Sequence, residues 1–301
     1  MKRRKIFPIT ALLLISGVFF NICETAMAQK ITDTSGKNEQ IVLLTRADDM
    51  GNSFGRTRGI IKAFKEGIIT STSIMPTSQF FEESVIMCKK NPKLVTGIHI
   101  TLLGTRTRPV LSPDLIPGLV TPEGFFHETL DQLTKAGPTP EEIDKEIRAQ
   151  VNRVKATGLK YVYLDWHRSM PPAAIKTIES ICREQKLVFG QEREGSTYGY
   201  KRIQLMPESW PTQKTPDGQI VYYAAPSLTR EQEESFYENL NNLKPGRWIA
   251  IFHPGTGEPQ RLSVTELLCS HRTKEIIKNR NIRLVSYYDI WKEEFNKSGK
   301  K

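Results

Sequence analysis

The chain has 301 residues, of which 38% are hydrophobic and 25% are charged, and its formal net charge is +10 at pH 7. This composition is close to that of an ordinary globular protein, so it argues against a disordered chain and against a protein with many membrane spans. The basic residues are scattered over predicted helices rather than clustered with aromatic residues, which argues against a nucleic-acid-binding protein. The length accommodates one large domain, such as an α/β barrel.

The first 28 residues are typical of a secretory signal peptide. A basic start, MKRRK, precedes an almost wholly apolar run from Ile9 to Phe20, and Ala26-Met27-Ala28 offers small residues for cleavage. An uncleaved membrane anchor is the alternative, but the apolar run is shorter than the ~20 residues that a spanning helix needs. We therefore predict a signal peptide at 1–28 and a single mature domain at 29–301. The mature protein is expected to be secreted, into the periplasm, without stable membrane insertion.

Apolar runs typical of buried strands alternate with segments of helical periodicity along the mature chain. In chain order, we predict strands at 41–44, 68–75, 94–102, 161–164, 187–189, 247–252 and 283–286. Helices are predicted at 53–66, 80–89, 141–156, 173–184 and 264–278, with a last helical stretch after 289. The clearest helix is that at 141–156, because Thr139 and Glu142 form a capping box around Pro140. Repeated βα units favour parallel strands in a barrel-like or doubly wound sheet.

Two long stretches, 104–138 and 191–227, interrupt this alternation and are rich in proline, glycine, threonine and aromatic residues. Loops of that length in a compact domain often form the walls of a binding site. The aromatic residues that we single out in the second stretch are Tyr198, Tyr200, Trp210, Tyr222 and Tyr223. Such side chains can stack on sugar rings or shield the end of a barrel, and the sequence leaves both interpretations open.

Carboxylates and imidazoles fall at the ends of several predicted strands. Asp48 and Asp49 stand side by side after the first apolar run, and His99, His167 and His253 lie at the ends of three later strands. In α/β barrels the carboxyl ends of the strands converge on one face, so these side chains can meet there. One aspartate and two histidines can bind a metal ion and leave positions open for water and substrate. A second carboxylate nearby can take a proton from that water.

Each of these signals also has an ordinary structural explanation. An aspartate pair after a strand is often a turn or a helix cap, a lone histidine in an apolar strand is usually a hydrogen-bonded core residue, and His253 precedes a Pro-Gly turn. The coincidence of all of them at strand ends favours a shared site. The remaining histidines lack that placement, so we expect His127 in a loop and His271 on a helix surface.

At the level of whole motifs, the sequence resembles the YdjC-like (ChbG/HpnK) carbohydrate deacetylases, which are relatives of the NodB-type polysaccharide deacetylases. The stretches that carry the resemblance are RADDMGNSFGRTRGIIKAFKEGIITSTSIMPTS, NPKLVTGIHITL, GLKYVYLDWH, IFHPG and RTKEIIKNRNIRLVSYYDI. They occur in the same order as in the family and span essentially the whole mature chain.

The resemblance implies a single-domain α/β fold, a deformed (β/α) TIM-like barrel. It also implies a hydrolase that removes acetyl groups from N-acetylated amino sugars or oligosaccharides with one divalent metal ion, Mg²⁺ or Zn²⁺. Carried over by motif, Asp49, His99 and His167 are the expected metal ligands. Asp48 is the expected general base, and His253 is a candidate general acid. The expected partner is a carbohydrate substrate, and a homodimer is allowed.

The chain departs from the family pattern at positions near these residues. Many relatives have Asp-Ser-His-x-His-x-His, and this chain retains only the first histidine, in Asp165-Trp166-His167-Arg168-Ser169-Met170. Arg46 stands where many relatives have asparagine, and Arg106 and Arg108 follow the His99 strand. These arginines either favour an anionic or otherwise distinctive saccharide or are simply exposed to solvent. The departures leave open a non-catalytic saccharide-binding protein, and a metal-dependent hydrolase of another amide or ester.

Overall fold

A parallel sheet, curled into an open barrel and flanked by helices, forms the centre of the fold. In a computed structural model, the described residues are 40–190, 198–214, 220–222 and 224–296. The predicted signal peptide therefore lies outside the described residues, as does part of the second long stretch. Among the described residues, no helix has the length and apolar character needed to cross a membrane.

The strands and helices follow the predicted alternation. The strands are β1 Ile41–Met50, β2 Ser71–Ile74, β3 Val95–Ile100, β4 Tyr163–Trp166, β5 Val188–Phe189, β6 Lys201–Ile203, β7 Thr212–Lys214, β8 Ile220–Tyr222, β9 Gly246–Phe252 and β10 Arg283–Val285. The α-helices are α1 Phe54–Lys65, α2 Phe81–Lys90, α3 Leu130–Ala136, α4 Pro140–Ala156, α5 Pro172–Gln185, α6 Arg230–Asn241, α7 Pro259–Cys269, α8 His271–Asn279 and α9 Tyr287–Phe295. Short 3₁₀ helices at Pro113–Leu115 and Pro117–Leu119 lie in the first long stretch.

The described main sheet has the order β5-β4-β3-β2-β1-β9-β6, with β10 also paired to β1. All of these pairings are parallel, whereas β7 and β8 form a separate antiparallel pair. The first half of β1 pairs with β10 and its second half with β2, which places β1 at the middle of the sheet. The expected deformed (β/α) barrel is thus confirmed.

Several predicted boundaries were wrong for identifiable reasons. The predicted helix at 264–278 is two helices, because Ser270 ends α7 and caps α8, its side chain accepting a hydrogen bond from the Thr273 amide. Strand β6 lies inside the second long stretch and pairs with β9, although only one of its side chains is partly buried, so it has no apolar signature. The capping box of Thr139 and Glu142 on α4 is confirmed.

A close contact between α1 and the turn after β9 brings two parts of the site together. A Cβ atom added at Gly59 would lie 2.3 Å from the Cα of Gly255, so only glycine permits this approach. Thr256 continues the contact, since its amide donates a hydrogen bond to the carbonyl of Gly55 at 3.0 Å. The turn that carries His253 is therefore fixed directly against the helix that follows the Asp48-Asp49 pair.

Candidate active site and metal centre

The five candidate residues from the sequence meet in one cleft at the carboxyl ends of the strands. Asp48, Asp49, His99, His167 and His253 all line this cleft, whose volume is about 1010 Å³. Both long stretches also contribute to its walls. Neither of the other histidines is among the lining residues, and His271 begins helix α8 on the surface, as expected.

An irregularity in β1 explains how two adjacent carboxylates face the same cleft. In a regular strand, neighbouring side chains point to opposite faces of the sheet. Here the pairing of β1 with β2 shifts register between Ala47 and Met50, and Asp49 has a φ of 69°. A positive φ is uncommon for a residue other than glycine and often marks a functional position. The strand thus runs through the aspartate pair rather than ending before it, and the bulge turns both side chains toward the cleft.

Three side chains offer ligand atoms to a single point. One ligand atom each from Asp49, His99 and His167 lie within 4.8 Å of one another. Asp49 Oδ1 lies 3.2 Å from His167 Nδ1 and 3.7 Å from His99 Nε2. This oxygen is buried and accepts no hydrogen bond from any described residue. Because a buried carboxylate oxygen without a partner is costly, the geometry fits a cation held by these three side chains.

Two of the three groups, Asp49 and His167, have protonation states that suit a cation, and the third must lose a proton. Burial would raise the pKa of Asp49, but His167 and Arg261 hold it well below its ordinary value, so the carboxylate is ionised. Burial lowers the pKa of His167 despite the opposing charge of Asp49, which favours the neutral, ligating imidazole. Burial alone would lower the pKa of His99, but Asp165 and Asp48 raise it to about 9. A metal ion would therefore replace a proton on His99.

The second oxygen of Asp49 and the second nitrogen of His99 have protein partners. Asp49 Oδ2 accepts hydrogen bonds from Arg261 at 3.1 Å and Arg56 at 3.3 Å. His99 Nδ1 lies 2.8 Å from Asp165 Oδ1, a contact that fixes the ring and leaves Nε2 toward Asp49. A carboxylate on the far nitrogen of a ligating histidine is a common feature of metal sites. These three contacts orient the candidate ligand atoms before any ion binds.

The carboxylate of Asp48 is bound by a guanidinium group, whereas that of Asp49 faces His99 and His167. The fully buried Arg46 contacts Asp48 through two hydrogen bonds, of 2.7 and 3.0 Å, and lies 3.0 Å from Asp165 Oδ2. Asp48, His99 and Asp165 also have the spacing of a metal site, but Arg46 already supplies positive charge to both carboxylates. Burial raises the pKa of Asp48, yet Arg46 and His99 lower it overall, so Asp48 is a carboxylate.

The three arginines noted in the sequence analysis differ in burial and in their distance from the site. Arg46 lines the cleft, but its side chain is fully buried and is paired with the carboxylates of Asp48 and Asp165. Arg106 and Arg108 are exposed and do not line the cleft, and Arg108 packs over the ring of Phe125. The expectation that these three arginines select an anionic saccharide therefore has no support in the geometry.

Sequence reasoning missed the partner of His253. Glu208 binds this histidine twice, through a short contact of 2.5 Å to Nδ1 and a hydrogen bond of 3.2 Å from the backbone amide. Burial lowers the pKa of His253, but Glu208 more than offsets this effect and the pKa is raised. Glu208 lies in the irregular second stretch, 45 residues before His253, so no spacing in the sequence links the two.

Comparisons with known proteins place this chain in a family. The sequence matches the family described as YdjC-like protein over residues 42–279. A carbohydrate deacetylase from Brevibacillus brevis is 30% identical over 267 residues, covering 82% of this chain and 99% of the relative. A carbohydrate deacetylase from Enterococcus faecalis is 27% identical over 266 residues, covering 82% and 97%. The chain therefore belongs to the YdjC-like protein family.

A solved structure supports the fold independently. The crystal structure of a proposed cellobiose-phosphate cleavage protein from Enterococcus faecalis has a TM-score of 0.66 and 22% sequence identity to this chain. The match covers 83% of this chain and 99% of that one. The similarity therefore extends over most of this chain.

The buried contacts of Arg46 lead to a stability prediction. Replacement by methionine in Arg46→Met leaves Asp48 and Asp165 without their guanidinium partner. Breaking a buried ion pair on one side costs about 3 to 5 kcal/mol, so the free energy of unfolding should fall by that amount in urea denaturation with a chelator present. The exposed Arg106→Met is the matched control and should change stability by less than about 0.5 kcal/mol. Equal stability of the two variants would contradict the assigned pairing.

Proposed function

We propose that this protein is a carbohydrate deacetylase that hydrolyses the acetamido group of an N-acetylated amino sugar or oligosaccharide. The observation that carries the proposal is the convergence of Asp49, His99 and His167 in one cleft, with the carboxylate of Asp48 and the imidazole of His253 beside them. Membership of the YdjC-like family and two relatives named carbohydrate deacetylase support the reaction type.

We assign Asp49, His99 and His167 as the residues that hold one divalent metal ion. Two imidazoles and one carboxylate form a donor set that favours Zn²⁺ over Mg²⁺, since Mg²⁺ prefers oxygen ligands and retains several waters. When bound, such an ion makes water a usable nucleophile near neutral pH and polarises the acetyl carbonyl. The loss of the later histidines of the family motif leaves this three-ligand set complete.

The protein's own residues handle the protons of the reaction. Asp48 accepts a proton from the attacking water, and the resulting hydroxyl adds to the acetyl carbon. The bidentate contact with Arg46 orients Asp48 for this role, although it also weakens the carboxylate as a base. His253 donates a proton to the sugar nitrogen as the C–N bond breaks, which releases acetate and a free amine. Glu208 orients His253 and favours its protonated form.

The two alternative functions predict different behaviour. A saccharide-binding protein without catalysis requires no proton donor, yet the half-buried His253 lines the cleft and is held there by Glu208. A hydrolase of another amide or an ester would use the same groups on a smaller or different substrate. Acetate release from a panel of N-acetylated oligosaccharides separates these cases, because binding without acetate release favours the first and activity confined to non-sugar substrates favours the second.

We also propose that the protein is secreted into the periplasm after removal of residues 1–28. The basic start, the apolar run and the small residues at 26–28 support this proposal. N-terminal sequencing of protein recovered from the periplasm of an expressing cell should begin near Gln29. An intact Met1 on that protein would contradict cleavage.

Removal of single ligands should separate metal binding from proton transfer. Asp49→Ala, His99→Ala and His167→Ala should each deplete bound metal, measured by elemental analysis after dialysis against a fixed zinc concentration. Asp48→Asn should retain the metal but lose turnover by ~10²-fold or more, as loss of a general base commonly does. Full metal occupancy in all three ligand variants would show that the ligand assignment is wrong, and an unchanged rate in Asp48→Asn would refute the base.

Loss of the carboxylate beside His253 should change the pH profile. Glu208 raises the pKa of His253, and a general acid loses activity as the pH rises through its pKa, so this group sets the alkaline limb of kcat/KM. Glu208→Gln should therefore shift that limb to lower pH and reduce kcat. The exposed Glu231→Gln, at the start of α6, serves as the control with an unchanged profile. An alkaline limb that stays in place in Glu208→Gln would exclude this coupling.

A further inference from the structure

Trp210 is a large aromatic side chain that remains open to the cleft. It lines the cleft together with the five candidate residues, and 46% of its surface is exposed. What distinguishes Trp210 from other exposed apolar side chains is its place in a substrate-sized cleft, where its aromatic surface is available to a ligand. It belongs to the second long stretch, which interrupts the regular alternation of strands and helices.

The ring of Trp210 is held in position by the residues around it. It packs against the imidazole of His253 at 4.8 Å between ring centroids, with the two planes at 80°. The guanidinium of Arg261 lies 5.2 Å from its centroid, within the range of a cation–π contact. These contacts fix the indole beside the proposed general acid.

The backbone next to Trp210 is anchored by one buried side chain. Gln260, which is 3% exposed, accepts hydrogen bonds from the amide and hydroxyl of Ser209 at 3.1 and 2.8 Å and donates one to the Ser209 carbonyl at 3.2 Å. Its own amide donates to the carbonyl of Ala225 at 3.3 Å, so it joins two parts of the second stretch. Three consecutive residues are therefore held in place, since Glu208 and Trp210 both contact His253 and Ser209 is bound by Gln260, as expected of a rigid binding surface.

We infer that Trp210 is a stacking platform for a pyranose ring of the saccharide substrate, placed beside the amide nitrogen that His253 protonates. One face of a pyranose presents mainly C–H groups and packs on an aromatic ring, which removes apolar surface of both from water. This inference rests on the proposed deacetylase function and adds to it a subsite for the sugar, distinct from the groups that transfer protons.

Kinetics on saccharides of increasing length test the inference. With N-acetylglucosamine and its β-1,4-linked di- and trisaccharides, Trp210→Ala should raise KM about tenfold for the saccharide whose ring stacks on Trp210 and leave kcat within about twofold. Trp210→Phe should recover most of the affinity. If Trp210 only supported His253, Trp210→Ala would instead lower kcat and shift the pH profile of kcat. An unchanged KM in Trp210→Ala would overturn the inference.

Fluorescence titration of the metal-free protein separates this inference from the proposed function. Emission should change on addition of the same saccharides, and Trp210→Phe should remove most of that change, because Trp166, which also lines the cleft, is only 5% exposed. Trp291→Phe is the matched control and should retain it, because Trp291 lies on α9 outside the cleft lining and donates a hydrogen bond to Lys186. A Trp210-dependent signal without acetate release by the metal-loaded wild type would support the subsite and contradict the deacetylase. Absence of such a signal across the panel would overturn the subsite.

Discussion

The concentration of negative charge at the carboxyl ends of β1 and β4 is the constraint on which the site depends. Asp48, Asp49 and Asp165 are all buried, and an isolated buried carboxylate is too costly to persist in ionised form. Arg46 lies between Asp48 and Asp165, while Arg56 and Arg261 contact one oxygen of Asp49. The remaining oxygen of Asp49 faces two imidazoles, so the balance of charge is completed at that point by a proton or a metal ion.

This distribution of partners gives adjacent aspartates different functions. The two residues share a strand and similar burial, yet the register shift and the positive φ at Asp49 turn their carboxylates toward different neighbours. Asp48 meets a permanent guanidinium charge, whereas Asp49 keeps an oxygen free of hydrogen bonds from the described residues. The backbone geometry of one residue therefore separates the proposed base from the proposed ligand, and a regular strand could not present both to the same cleft.

The sequence predicted the features that follow from periodicity and from parallel strands. The alternation of elements, the capping box of α4 and the meeting of His99, His167 and the aspartate pair all follow from such rules. It did not predict β6, whose residues carry no apolar pattern, or the pairing of Glu208 with His253. Arg46 and Asp48 are two residues apart, but their burial against Asp165 depends on the packing of β4 near β1. Contacts made by irregular loops or between buried charges could be identified only from the tertiary structure.

The second long stretch links recognition of the sugar to proton donation. Glu208 holds His253 and Trp210 packs against the same ring, with only Ser209 between them in the chain. Gln260 anchors Ser209 between them, so the positions of the indole and of His253 are set before a pyranose binds. Stacking on Trp210 would therefore contribute to binding of the saccharide, while Glu208 sets the orientation of the acid. The barrel strands supply the metal ligands and the base, and this stretch supplies the orientation of the acid together with the proposed sugar subsite.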